Sequence, residues 1–219
     1  MAYEDVLAAT ELFQAVSPDE LTELARHAGT RRLVRGDILF NEGEEPDALY
    51  VVLRGRVAIA NKSFDGRESV VALMEPGDLF GEMGMLDGRP RSAEGRALEP
   101  SEVLELQYEP VRELLARHPE LLWGVVRMLA DRLRGMDEAL ADSVFLDVTG
   151  RTAKRLLELA NGASEFLLPV TQEELAGMVG ASRERVNKAI ASFIRLGWLE
   201  QSDRRYRILQ RDRLELRAR

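Results

Sequence analysis

The sequence contains no cysteine. That excludes disulfides, thiolate zinc sites, iron–sulfur clusters and cysteine nucleophiles, and it suits a reducing interior. Histidine is almost as scarce: His27 and His118 are the only two, which leaves little for metal ligation or imidazole acid–base chemistry. Long hydrophobic runs are missing too. The longest apolar stretch, Leu121 to Ala130, is interrupted by Arg127 and falls well short of the roughly 20 residues a membrane span needs. The first residues, MAYEDVLAATELF, are acidic where a secretory signal is basic, so a cytoplasmic location and no membrane contact are expected. What is present is ordinary globular usage: 45% hydrophobic and 31% charged residues over 219 positions, enough for one or two compact units.

Charge divides the chain unevenly. Residues 1–146 hold 16 Lys+Arg against 28 Asp+Glu, net −12, whereas residues 147–219 hold 14 against 10, net +4. An acidic front with a basic back fits a protein whose rear half alone meets a polyanion such as DNA, although a merely solvated basic surface has the same charge balance.

Local patterns divide the chain further. Ser17 as a cap, Pro18 at the first helical position and Glu20 three residues after the cap predict a short helix over 17–28. From Arg31 to about Leu106, short β-rich runs (LYVVL, RVAIA, SVVALM, EVLEL) alternate with turns. Gly36, Gly43, Gly55, Gly66 and Gly77 sit where strands reverse. This predicts an all-β barrel or jelly roll within residues 1–108. From Glu109 the period turns helical. Leu122, Val126, Leu129, Leu133, Met136, Leu140 and Val144 form a heptad seam about three heptads long. The expectation is one helix over 109–146, more than 30 residues, whose narrow stripe meets a partner helix in a parallel homodimer; packing on the β-domain is the alternative. DVTG at Asp147–Gly150 is expected to break the helix as a hinge into residues 147–219.

The rear part reads as a helix, a linker, two helices and a hairpin. TQEELAGMVG carries a capping box at Thr171 and Glu174, with Leu175, Met178 and Val179 on its buried face. After Gly180-Ala181, Ser182 caps SRERVNKAIASFIRLG, whose Val186, Ala189, Ile190, Phe193 and Ile194 share one face, leaving Arg183, Glu184, Asn187 and Lys188 on the other. That is helix-turn-helix spacing. A major-groove reader needs paired donors for guanine and an acceptor for cytosine near the helix start, and Arg183 and Glu184 supply one of each. Lys188 can reach a base edge or a phosphate, Arg185 the backbone. WLEQSDRRYRIL then predicts a winged hairpin about Ser202-Asp203 that carries Arg204, Arg205 and Arg207.

Taken together, the segments GDILFNEGEEPDALYVVLRGRVAI, GDLFGEMGMLDGRPRSA, FLDVTGR and VGASRERVNKA resemble the cyclic AMP receptor protein and FNR-type family of bacterial transcription regulators, over nearly the whole chain. The resemblance implies an α+β protein: a cyclic-nucleotide-binding β-roll, a long dimerisation helix and a C-terminal winged helix-turn-helix. It implies a phosphate-binding cassette in which Glu82 accepts a ribose 2′-hydroxyl and Gly81 allows close backbone approach. Arg91 would pair with the phosphate, and Ser92 and the Ala93 N–H would donate to its oxygens. An internal Glu82–Arg91 ion pair is the alternative reading of the same residues. Arg132 matches a helix arginine that lies close to the ligand. Where the family commonly places two small polar residues against adenine, this chain has Met136 and Asp137. Cyclic AMP is therefore the first effector implied, with another cyclic nucleotide or no ligand second. Gas or redox sensing is disfavoured, since cluster cysteines are absent and neither His lies in the cassette.

For DNA, the resemblance implies a palindromic site with TGTGA-like half-sites, Arg183 on guanine and Glu184 on cytosine, contacts from Thr171, Ser182, Arg185, Asn187, Lys188, Arg204 and Arg205, and RNA polymerase as a further partner. It implies no catalysis and no metal. A cupin-type metalloenzyme would need several ligands converging inside the barrel, and neither His lies in a strand run. A regulatory nucleotide-binding module of a non-DNA system would leave the helix-turn-helix unexplained.

Overall fold

The computed structural model describes residues 2–62 and 68–219, and of Glu68 only the backbone. The chain divides into two compact units, Met1–Asn61 with Val71–Arg134, and Lys62–Val70 with Gly135–Arg219.

The first unit is a β-roll flanked by helices. Eight strands, β1 (Ala28–Leu33), β2 (Ile38–Phe40), β3 (Ala48–Arg54), β4 (Val57–Lys62), β5 (Glu68–Met74), β6 (Leu79–Phe80), β7 (Glu94–Ala97) and β8 (Ser101–Gln107), form two four-stranded sheets ordered β1-β8-β3-β6 and β2-β7-β4-β5. One core lies between the sheets, where Ala48, Tyr50 and Val52 of β3 meet Phe40, Val57, Met74, Phe80 and Ala97. A second core lies on the other face of the first sheet, where Leu49 and Val51 meet helices α1 (Tyr3–Ala9), α2 (Pro18–Arg26) and α4 (Tyr108–Arg117). Because β3 is buried on both faces, LYVVL reads as a continuous apolar run and not as an alternation. Ser17 caps α2 as expected, its hydroxyl accepting from the Glu20 N–H. Gly36, Gly43, Gly55 and Gly77 all adopt positive φ at strand reversals; Gly66 lies outside the described residues.

The expected single helix over 109–146 is two helices. α4 ends at Arg117, a 3-10 turn follows at Pro119–Leu121, and α5 runs from Leu122 to Phe145, 24 residues. Pro119 causes the break: it disfavours helical geometry in the residue before it, and His118 sits at φ −126°, ψ 71°. The seam itself lies wholly within α5. Its four residues within the first unit, Leu122, Val126, Leu129 and Leu133, are 38–59% exposed, so packing on the β-roll does not account for them.

The hinge is also shorter than expected. α6 spans Val148–Ala160, so Val148, Thr149 and Gly150 are already helical and only Leu146 and Asp147 separate it from α5. The Asp147 carboxylate accepts from the Gly150 N–H, which caps α6 and holds that carboxyl below its ordinary range, with the Arg217 guanidinium adding to the effect. α7 (Gln172–Val179) and α8 (Arg183–Arg195) follow, then β10 (Leu199–Ser202) and β11 (Arg205–Ile208). Two elements were not expected from the sequence: β9 (Glu165–Leu167), the third strand of the sheet β10-β11-β9, and a C-terminal helix α9 (Arg211–Arg217). Among the described residues, no helix is long and apolar enough to cross a membrane.

Candidate functional site

In the first unit, β6 delivers Gly81 and Glu82 to a short helix, α3 (Met83–Asp87), which ends at Gly88 in the left-handed region. Pro90 and Arg91 then lead into β7. The peptide of Arg91 is fixed to the loop between β2 and β3: its N–H donates to the Glu44 carbonyl at 2.8 Å, and its carbonyl accepts from the Gly43 N–H at 2.8 Å. Gly81 is required twice over. Its φ is +82°, and a Cβ there would lie 2.8 Å from Arg91 Nη1.

Two charged residues of this segment are buried, Glu82 at 1% and Arg91 at 7% exposed, while Asp87 and Arg89 are exposed. Glu82 and Arg91 do not pair with one another. Glu82 Oε1 accepts from Arg132 Nη1 at 2.5 Å, and Arg132 also donates to the Leu79 carbonyl. The internal Glu82–Arg91 pair is therefore not formed; α5 supplies the counter-charge from Arg132. Arg91 donates to the carbonyls of Gly81 (2.8 Å) and Ala48 (2.6 Å) and to the Tyr108 hydroxyl (3.1 Å), and its guanidinium lies 4.4 Å from the Phe40 ring centroid. Glu82 Oε2 is buried and has no hydrogen-bond partner among the described residues. A buried carboxylate oxygen left unpartnered is costly, and it is the group that a ligand hydroxyl would satisfy. With two guanidinium groups and one carboxylate, the residues here fit a monoanion that carries one free hydroxyl.

The structure thus brings together Gly81, Glu82, Arg91 and Arg132. Ala93 is buried at the end of the segment, whereas Ser92 is exposed, its hydroxyl contacting Met83 Sδ at 3.7 Å. Met136 and Asp137 are exposed one turn beyond Arg132 on α5. Sequence reasoning missed Phe40 and Tyr108, because neither a strand aromatic nor a helix-start tyrosine signals a contact with a guanidinium distant in the chain.

The second unit carries the helix-turn-helix. The Thr171 hydroxyl accepts from the Glu174 N–H while the Glu174 carboxylate takes the Thr171 N–H, closing the capping box. Gly180 turns the chain at φ +68°, and Ser182 caps α8. Val186, Ala189, Ile190 and Phe193 are buried; Ile194, expected on the same face, is 40% exposed because it falls at the edge of the stripe. Arg183, Glu184, Arg185, Asn187 and Lys188 are all exposed along the opposite face. Gln172 ties α7 to the wing through the Tyr206 hydroxyl at 2.6 Å. The wing arginines are not uniformly available. Arg204 donates to the Leu168 carbonyl at 2.9 Å, while Glu165, on the unanticipated β9, accepts from Arg205 at 2.8 Å and Arg207 at 3.0 Å. Those two guanidinium groups, Arg205 first, hold the Glu165 carboxyl below its ordinary range.

Comparison with known proteins gives matches in both units. Residues 30–118 match the family described as cyclic nucleotide-binding domain, and residues 150–217 the Crp-like helix-turn-helix domain. A CRP-like cAMP-activated global transcriptional regulator of Mycobacterium tuberculosis is 37% identical over 223 residues, 99% of this chain and 100% of that protein. Among solved structures, the c-di-GMP responsive global regulator CLP of Xanthomonas campestris is 25% identical with a TM-score of 0.76, covering 88% of this chain and 99% of that one. The catabolite activator protein of Thermus thermophilus is 31% identical with a TM-score of 0.54, covering 95% and 98%.

Proposed function

Since the chain belongs to the CRP-like family of bacterial transcription regulators, which are not enzymes, we propose that it is a cytoplasmic, homodimeric regulator whose DNA binding is controlled by a cyclic nucleotide, cyclic AMP first. Residues 1–108 act as sensor, 109–146 as the dimerisation segment and 147–219 as the DNA-binding part. The observation that carries this reading is the buried Glu82 Oε2, unpartnered among the described residues in a segment where the Arg91 guanidinium is also buried. Glu82 would take the ribose 2′-hydroxyl and Arg91 the phosphate charge, with Ser92 and the Ala93 N–H donating to its oxygens. A cyclic phosphodiester supplies one diffuse charge and one free sugar hydroxyl, which this donor set matches. Arg132 joins the pocket to α5, so a change at Glu82 reaches the seam helix directly. Met136 and Asp137 would face the base. Asp137 can accept from an exocyclic amine, which adenine and guanine both carry, so cyclic GMP is the second ligand to test.

The exposed seam of α5 supports pairing with a second copy: three heptads of apolar residues open to water are poorly accounted for in a monomer. A dimer with two α8 helices presented about 34 Å apart reads a palindrome, and the family resemblance implies TGTGA-like half-sites with Arg183 on guanine and Glu184 on cytosine. RNA polymerase is the expected protein partner. Two measurements test this reading. Sedimentation equilibrium is expected to give a dimer for the wild type and monomer for Leu133→Glu, and a monomeric wild type contradicts it. In gel-shift competition with cyclic AMP present, a TGTGA palindrome is expected to outcompete a scrambled duplex, and equal competition contradicts sequence-specific reading.

A further inference from the structure

Tyr108, the first residue of α4, is 5% exposed. Its hydroxyl donates to the Gly81 carbonyl and accepts from Arg91 Nη1. Gly81 therefore has two donors, the phenol and Arg91 Nη1 at 2.8 Å. One turn further along α4, Arg112 lies 5.6 Å from the Tyr108 ring centroid and donates to the Met85 carbonyl at 3.0 Å. The first turns of α4 thus hold the cassette at two places, Gly81 before α3 and Met85 within it.

A bidentate grip on a phosphate uses N–H groups that Arg91 now directs at neutral acceptors. When Arg91 turns to an anion, the Gly81 carbonyl loses one of its two donors. Even a half-buried carbonyl left with none loses what an ordinary hydrogen bond contributes and keeps part of its desolvation cost. Resting on the assignment of Arg91 to the phosphate, we infer that Tyr108 is a positioning residue whose hydroxyl keeps the Gly81 carbonyl satisfied while Arg91 leaves it, so that the cassette exchanges internal partners for ligand without an orphaned acceptor.

This role separates the resting state from the loaded one. In Tyr108→Phe, Arg91 still serves Gly81 when no ligand is present, so the unliganded protein keeps its fold and melts close to the wild type. The loss falls on nucleotide binding, expected to weaken roughly ten-fold. Calorimetric titration of full-length wild type and Tyr108→Phe with cyclic AMP and cyclic GMP, beside circular dichroism and melting of both unliganded proteins, reads the two effects separately. A ten-fold loss of affinity with little change in melting supports the inference. Unchanged affinity overturns it, as does tighter binding, which would make the phenol a lock on Arg91. A loss of affinity accompanied by a matching loss of unliganded stability overturns it in favour of a structural role. If the wild type binds neither nucleotide, the reading of the cassette itself fails and takes this inference with it; wild-type binding with an indifferent Tyr108→Phe rejects the inference alone.

Discussion

The cassette and the reading helix use charge in opposite ways. Around Gly81, the guanidinium of Arg91 and the carboxylate of Glu82 are buried, and each is held by groups of the same chain. On α8, Arg183, Glu184, Arg185 and Lys188 stand in water. A small ligand has little surface to offer, so its site must be desolvated in advance, and binding becomes an exchange of existing hydrogen bonds. DNA brings a dense row of phosphates and releases counterions as it binds, so exposed charges cost nothing until the duplex arrives. Removing one of the buried charges of the first region should therefore alter stability and affinity together, whereas substitutions in the second should change DNA binding and leave the fold alone.

The largest expected effect is at the cassette. Arg91→Leu removes a buried guanidinium and leaves the carbonyls of Ala48 and Gly81 short of a donor. Nucleotide affinity should fall by about a hundred-fold or more, and the melting temperature should fall with it. Calorimetry and thermal denaturation check the pair; unaltered affinity removes Arg91 from the phosphate site. Arg183→Ala comes next, with a loss of about 1–3 kcal/mol per half-site and relaxed discrimination at the contacted base pair, but a wild-type melting temperature. Competition between TGTGA and single-base variants reads it, and intact discrimination assigns the guanine contact elsewhere.

Smaller effects lie on the wing. Arg205→Ala should weaken all duplexes similarly and reduce the salt slope by about 1. Glu165→Gln should do the reverse, since it frees Arg205 and Arg207 from a competing carboxylate; filter binding across salt concentrations tests both, and an unchanged slope in both variants places the wing off the DNA. The smallest effect is at the break before α5. His118 is hydrogen-bonded to Glu120 and to Glu20, and these partners raise its pKa above the ordinary value near 6.5. A histidine raised on folding contributes stability that is complete below its ordinary pKa and lost as pH rises through the raised one. Wild-type melting temperature should thus decline modestly from pH 6 to pH 8, as expected for an exposed pair, and His118→Gln should flatten that slope. A slope unaffected by the substitution assigns the pH dependence to other groups.

The sequence made the two regions legible to different degrees. The β-roll was readable because glycine reversals and β-branched runs recur at short intervals, and the helix-turn-helix because Thr171, Glu174 and Ser182 are strong local caps. The seam is readable from its period alone and lies where that period puts it, but the helix that carries it starts at Leu122 and not at Glu109, because Pro119 takes His118 out of helical geometry. β9 is three residues long, and α9 buries only Leu214, so neither carries enough periodicity to be seen. The cassette residues came from a resemblance, yet their actual partners did not. Arg91 is held by main-chain carbonyls and by Tyr108, and a carbonyl leaves no trace in the sequence. Glu165 was invisible as a wing partner for the same reason that β9 was.

The central claim is that occupation of the cassette changes how tightly the C-terminal helices hold DNA. Its most direct measurement is calorimetric titration of the full-length wild type with cyclic AMP, alone and then saturated with a duplex containing a TGTGA palindrome. Linkage requires that DNA tighten nucleotide binding by the same factor by which nucleotide tightens DNA binding, and a coupling of about 1–3 kcal/mol, 5- to 150-fold, is predicted. Identical nucleotide affinity with and without the duplex would contradict the account.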